Sequence, residues 1–273
     1  LADEDKKKVY QYYMNPSKVA MAGKIQPNGS YLKGIEDFIP SSQYNCDKHH
    51  LKVVEDIKEN WVTLSLNSKF HALLATESIP EAIAYYRLLR KEMPTLKVTA
   101  LFDPNIDNTG GQTFKEEGLI EVLEGYKEQF GKTYTMSTHA AFKQDVALRL
   151  AHKKPYNGKD FTKDKQIDLL IVVNQMLTGF DSKWINTLYV DKVMEYENII
   201  QAFSRTNRLF GPDKPFGVIR YYRYPNTMKR NIDKAVAMYS DNKPLKLFAD
   251  PLTHNLQQMN SIYTEIEYLF VHA

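Results

Sequence analysis

At 273 residues the chain is long enough for one sizeable core with appendages, or for two small domains. Its 43% hydrophobic and 25% charged residues are those of an ordinary globular protein. A net charge of +3 is too mild to mark a nucleic-acid binder by itself, though it leaves room for a local basic strip. The single cysteine, Cys46, excludes an intrachain disulfide framework and suits a reducing cytoplasm, and no apolar run approaches the roughly 20 residues of a membrane span.

The opening Leu1-Ala-Asp-Glu-Asp-Lys-Lys-Lys resembles neither a signal peptide nor a natural start, so the chain is expected to be a piece of something longer. Residues 1 to about 60 are polar and tyrosine-rich. They predict a short helix over 3–14, turns at Pro27-Asn28-Gly29-Ser30 and Pro40-Ser41-Ser42, and a helix near 47–60. Phe70–Ala75 is a short apolar strand ended by Thr76-Glu77-Ser78. Ser78 and Glu81 then stand at capping-box spacing, with Pro80 in the first turn, and Ile79, Ile83, Tyr86 and Leu89 share one helix face. Lys97–Phe102 predicts the next strand, followed by a loop over 103–114 and helices over 115–130 and 138–152.

Leu169-Leu-Ile-Val-Val173 is continuously apolar, the pattern of a strand buried on both faces of a parallel sheet. Strands at 187–190 and 216–221 flank a predicted helix over 195–208, and helices are expected at 227–239 and 253–271. Strands separated by helices give an α/β, parallel-sheet fold. The last helix would carry Leu256, Met259, Tyr263, Ile266 and Phe270 on one face and is expected to pack on its own chain.

The segment richest in chemistry is Gln201-Ala-Phe-Ser-Arg205-Thr-Asn-Arg208. On an α-helix, Gln201, Arg205 and Arg208 fall within about a 60° arc, while Ile199, Phe203 and Phe210 cluster opposite. Two guanidiniums one turn apart suit a polyphosphate, since each offers a planar fork of donors and a permanent charge; the bland alternative is a solvated, ion-paired helix face. Upstream, the strand 169–173 runs into Asn174-Gln-Met-Leu-Thr178-Gly179-Phe180-Asp181. Ligands of open α/β sheets sit beyond the carboxyl ends of strands. There Gly179 permits close backbone approach, Thr178 offers a hydroxyl to a phosphate, and Asp181 can accept from a ribose hydroxyl.

Strand, T-G-F-D loop, strand ending Val190-Asp191-Lys192, then Q-x-x-x-R-x-x-R is the order of motifs V and VI in the second RecA-like lobe of superfamily-two helicases. Phe70–Ser78 falls where motif IV belongs. Residues 65–240 resemble the restriction (R) subunit of type I restriction-modification enzymes, most densely over 167–222. Ser204 replaces the glycine usual before the first motif VI arginine, which narrows the likeness to that family. The resemblance implies a RecA-like lobe over 65–225 of P-loop NTPase type, an N-terminal extension over 1–64 and a helical appendage over 226–273. It implies that Arg205 and Arg208 reach ATP, with its magnesium, bound on another lobe. Gln201, Gly179 and Asp181 would lie near the nucleotide, and Thr76 and Thr178 at the DNA backbone. The implied partners are double-stranded DNA, a first RecA-like lobe and nuclease domain of the same parent chain, and modification and specificity subunits, with no membrane. The parent would be an ATP-driven, DNA-cleaving translocase, and the isolated chain inactive. Two other readings are the second lobe of a different duplex translocase or helicase, and a non-catalytic interaction module on the same fold.

Three look-alike motifs are set aside. Gly125-Tyr-Lys-Glu-Gln-Phe-Gly131-Lys132-Thr133 has one residue too many for a phosphate-binding loop and ends a helix instead of following a strand. Asp103-x-Asn105-x-Asp107 lacks the glycine and glutamate of a calcium loop. Cys46, His49 and His50 lack a second ligand pair.

Overall fold

The computed structural model describes residues 4, 7–8, 12, 15, 19–105, 111–158, 161–173, 182–239, 256–257 and 259–264. Two short strands, β1 (Lys24–Ile25) and β2 (Tyr31–Leu32), form an antiparallel hairpin across the Pro27–Ser30 turn. Helix α1 (Asp47–Leu64) leads into β3 (His71–Thr76), α2 (Ile79–Glu92), β4 (Val98–Leu101), α3 (Gln112–Phe130) and α4 (His139–Leu150). Then follow β5 (Leu169–Val173), β6 (Ile185–Asp191), α5 (Tyr196–Phe203), β7 (Val218–Tyr221) and α6 (Pro225–Tyr239). Strands β3 to β7 make one five-stranded sheet in the order β4-β5-β3-β6-β7, and every neighbouring pair is parallel. This is the helix-flanked parallel α/β sheet expected.

The sheet's centre is dry. All residues of β3, β4 and β5 are buried, which is what the unbroken apolar run at 169–173 requires, since helices covering both faces leave no polar side for alternation. Helix α2 packs on α1, α3 and the strands β3, β4 and β5. Its start follows the sequence signal: the Ser78 hydroxyl accepts from the Glu81 amide and Pro80 occupies the first turn. The Glu81 carboxylate, however, takes the Glu77 amide. Helix α3 ends where Gly131 turns left-handed (φ 69°) and donates its amide to Lys127, while Lys132 pairs with Asp145. The G-x-x-x-x-x-G-K stretch is thus a helix C-cap and an ion pair.

One compact unit spans Leu1–Ala235 and a second Val236–Ala273. Val53, Val54, Ile57 and Trp61 of α1 belong to the same apolar core as the sheet. Asp56 of α1 accepts from Arg220 (2.6 Å) and Tyr222 (2.7 Å) at the far end of the chain. Glu36, buried, caps α6: its carboxylate accepts from the amides of Asn226 (2.9 Å) and Thr227 (2.7 Å). Burial alone would raise the Glu36 pKa, but these hydrogen bonds hold it below the usual carboxylate value. In the second unit, residues 256–257 and 259–264 are helical, and Leu256, Met259 and Tyr263 are exposed. Ile266 and Phe270 of that face lie outside the described residues. None of the helices described is long and apolar enough to cross a membrane.

Candidate functional site

Helix α5 is shorter than its sequence pattern predicts, and the cause is local. Ile199, Ala202 and Phe203 anchor its buried face. Beyond Phe203 the side chains take the carbonyls that would continue the helix. The Ser204 hydroxyl donates to Gln201 (2.7 Å), the Thr206 hydroxyl to Phe203 (3.1 Å), and Arg205 Nε to Gln201 (3.2 Å). The amides of Arg205 and Thr206 tighten to the carbonyls of Ala202 and Phe203, three residues back. Arg208 therefore lies past the helix, not on a common face with Gln201 and Arg205. Gln201 and Arg208 are exposed and Arg205 is half-buried.

The segment that follows is pinned to the sheet. Phe210 packs against Trp184 (ring centroids 4.5 Å apart) and edge-on against Phe70 (5.7 Å), the residues that precede β6 and β3. This fixes the arginine segment at the amino-end side of the strands, as expected for a helix that leaves the carboxyl end of β6 and runs back along it. Gly217 passes so close to the buried Thr206 that a Cβ there would sit 2.5 Å from the Thr206 Cβ and press on its carbonyl. Gly217→Ala is expected to lower the thermal midpoint by several degrees, because backbone has to move. An unchanged melting curve would show that the two segments part easily.

At the carboxyl ends of the strands lies a buried ionic network that the sequence pattern does not disclose. Asp191, the last residue of β6 and 0% exposed, accepts from His49 (2.7 Å), Tyr85 (2.7 Å) and both Arg223 Nε and Nη2 (3.0 Å each). Arg223, 1% exposed, also meets Glu77 (3.0 Å), Glu81 (3.1 Å) and Asn45 (2.9 Å). Burial by itself would raise the Asp191 pKa; the hydrogen bonds from His49 and Arg223 outweigh it and hold the carboxyl near 2. Burial pushes Glu81 up instead. The one available signal was an aspartate ending an apolar strand, beside an arginine just beyond the next.

Thr76 is 0% exposed, and its hydroxyl faces the carbonyls of Ser78 (3.3 Å) and Val172 (3.4 Å). Thr178, Gly179 and Asp181 lie outside the described residues. Cys46, His49 and His50 do not converge: His49 bonds Asp191, and the Cys46 thiol donates to the Gln43 carbonyl. Among the described residues no group of three or more His, Cys, Asp or Glu is arranged to hold a metal ion.

At the amino ends of the strands, Lys69, His152, Phe161, Lys163, Lys183 and Trp184 border an open pocket of about 610 Å³. Here His71 and His152 share one hydrogen bond between their Nε2 atoms (2.7 Å), and Trp184 stacks on His152. One ring must donate and the other accept, so the accepting ring must be neutral. Burial lowers the His71 pKa to about 3; burial, reinforced by Lys183, lowers that of His152 to about 4. Both values lie below that of a free histidine, so the unfolded chain binds more protons between about pH 3 and 6.5. Stability from this pair is present above about pH 6.5 and declines as pH falls through that window. A His71→Phe, His152→Phe double variant should flatten the acid limb of a urea-unfolding series, and an unaltered limb would deny the pair its role.

The family profile described as type I restriction enzyme subunit R domain 3 matches residues 68–224. The chain belongs to the type I restriction enzyme R subunit family. The match contains Gln201, Arg205, Arg208, Asp191 and Arg223, while α1 lies before it although it packs into the same core. Among curated R-subunit relatives, the endonuclease subunit of a type I restriction enzyme from Staphylococcus aureus strain MRSA252 is 35% identical over 203 residues, 71% of this chain and 21% of that protein. One from Staphylococcus saprophyticus is 36% identical over 201 residues, 70% of this chain and 20% of that protein. A putative N-terminal part from Mycoplasma pneumoniae is 50% identical over 70 residues, 26% of this chain and 18% of that protein. This R-subunit chain thus spans about a fifth of the staphylococcal relatives. Among solved structures, the C-terminal part of the Fun30 ATPase domain aligns with a TM-score of 0.36 and 14% identity, covering 83% of this chain and 58% of that one.

Proposed function

We propose that this chain is the second motor lobe of an ATP-driven DNA translocase within its parent R subunit, and that Arg205 and Arg208 are the arginine half of an ATP site completed by a first lobe. The observation that carries the reading is the arginine turn itself. Arg208 is exposed, Arg205 is half-buried, and the backbone between and beyond them is tied down by Ser204, Thr206 and Phe210. A guanidinium held on fixed backbone can meet charge developing on a phosphoryl oxygen at little entropic cost. These residues fit the outer side of a polyphosphate; the phosphate-cradling loop and the carboxylates for magnesium would come from the other lobe.

Gln201, Gly179 and Asp181 complete the nucleotide side in this reading, and Thr178 meets the DNA backbone. ATP, when bound, supplies the phosphoanhydride whose cleavage drives the lobes apart. The residues of this chain hold the charge, orient the phosphates and exclude water when the cleft closes. Double-stranded DNA is the track, the nuclease domain of the parent performs the cut, and modification and specificity subunits supply the address, all in the cytoplasm. The test is DNA-stimulated ATP turnover by the full-length subunit carrying Arg205→Ala or Arg208→Ala. Loss in both supports the assignment, and near-normal turnover in both removes these arginines from the site.

A further inference from the structure

Lys214 is the only lysine among the largest fully buried side chains of the described residues, at 1% exposure. Its partners are all main-chain carbonyls: Arg208 (2.6 Å), Ile185 (2.7 Å) and Lys183 (3.1 Å). A buried ammonium is costly unless its three donors are met, and here each of the three has one acceptor. One acceptor, Ile185, is the first residue of β6, and a second, Lys183, stands in the turn that enters that strand. The third is the carbonyl of Arg208. The Lys214 backbone closes the same loop, donating to Gly211 (3.3 Å) and accepting from Phe210 (3.0 Å). Burial lowers its pKa to about 8, which leaves the ammonium the major form at neutral pH.

An apolar residue would fill this space with less desolvation, but it would take the ammonium donor away from all three carbonyls. Ile185 opens a strand fixed by its ladder with β3 and Lys183 stands in the turn that enters it, whereas Arg208 lies in irregular backbone past α5. We propose that Lys214 is a positioning residue for Arg208: its ammonium bolts the backbone of that arginine to Ile185 of β6 and to the turn that enters this strand, so that the guanidinium is presented from a fixed base. This rests on the reading of Arg208 as a phosphate-facing group. The bolt acts through the main-chain carbonyl of Arg208.

The test is a double-mutant cycle in the full-length R subunit with saturating DNA. Lys214→Met, unbranched and of similar length, removes all three donors. A displacement of about 1 Å at a reacting group costs on the order of 10²-fold in rate. Lys214→Met is therefore expected to lower kcat about 10- to 100-fold with KM for ATP changed less than about threefold. In an Arg208→Ala background the same change should cost less than about threefold, because the residue it positions is gone. Hydrogen exchange of the Arg208–Lys214 amides should quicken in Lys214→Met while that of β5 stays as in the parent. If Lys214→Met is unfolded at the assay temperature, Lys214→Gln, which keeps two donors, carries the cycle. An equal cost in both backgrounds, turnover within threefold of the parent, or unchanged exchange at 208–214 overturns the proposal. The Arg208→Ala single variant decides the site reading separately: if it turns over ATP normally, the site itself is wrong.

Discussion

Arg208→Ala in the full-length R subunit is expected to lower DNA-stimulated ATP turnover by about 10³–10⁵-fold, the range over which trans-acting arginines stabilise a transferred phosphoryl group. The fold should hardly notice. Arg208 is exposed and lies beyond the end of α5, so truncation opens no cavity, and exposed substitutions of this kind stay within about 0.5 kcal/mol. Arg205→Ala should lose turnover as well. It also forfeits one hydrogen bond to the Gln201 carbonyl, worth about 1 kcal/mol, so its melting curve should shift slightly. Lysine at either position should rescue poorly, because a point charge cannot reproduce a planar fork of donors. ATP turnover and thermal melting, measured side by side, separate the possibilities. A large fall in melting temperature with proportionate loss of activity would instead make these arginines structural members of an ion-paired turn.

Arg223→Met is expected to destabilise the chain by about 3–5 kcal/mol, the cost of breaking a buried ion pair from one side. The asymmetry follows from the partners. Losing Asp191 would leave Arg223 with Glu77 and Glu81, whereas losing Arg223 leaves Asp191 and Glu81 buried together with no cation between them. The pH dependence identifies the mechanism. In the parent, Asp191 has a folded pKa near 2, below its unfolded value of roughly 3.9, so its contribution is present above about pH 4 and is lost as pH falls toward 2. In Arg223→Met the carboxyls have reason to take up protons early, which relieves the repulsion. The gap in unfolding free energy between parent and variant should therefore shrink from pH 7.5 to pH 5, as read by urea denaturation. A deficit under about 1 kcal/mol, or one that is constant with pH, would mean that the network is better hydrated than its geometry implies.

What was legible in the sequence was whatever depends on near neighbours. Leu169–Val173 declared a doubly covered strand because no alternation survives when both faces are dry. Ser78, Pro80 and Glu81 announced the start of α2 because capping is a matter of three residues. Even so, apolar periodicity overran α5 by a turn. Hydrophobicity registers Phe203 and Phe210 but is blind to Ser204 and Thr206 taking back the carbonyls between them. The buried network at the carboxyl ends of the strands was illegible for a different reason. Asp191 meets His49, Tyr85 and Arg223 across separations of 142, 106 and 32 residues, and nothing local to any of them marks the meeting. The motif position of Thr76 likewise says nothing about which way its hydroxyl turns once β3 lies at the centre of a sheet.

The clasp between the first sixty residues and the last strand has a consequence for how the chain comes into being. Glu36 waits for Asn226 and Thr227, 190 and 191 positions later; Asp56 waits for Arg220 and Tyr222, 164 and 166 positions later. Closing loops of that size comes late in folding, after the local contacts of α2, α3 and α4 can form. During synthesis, at roughly 5–20 residues per second, α1 spends on the order of ten seconds or more with its apolar face uncovered on one side and its carboxylates unmatched. The order of emergence thus makes α1 the last of these elements to lock.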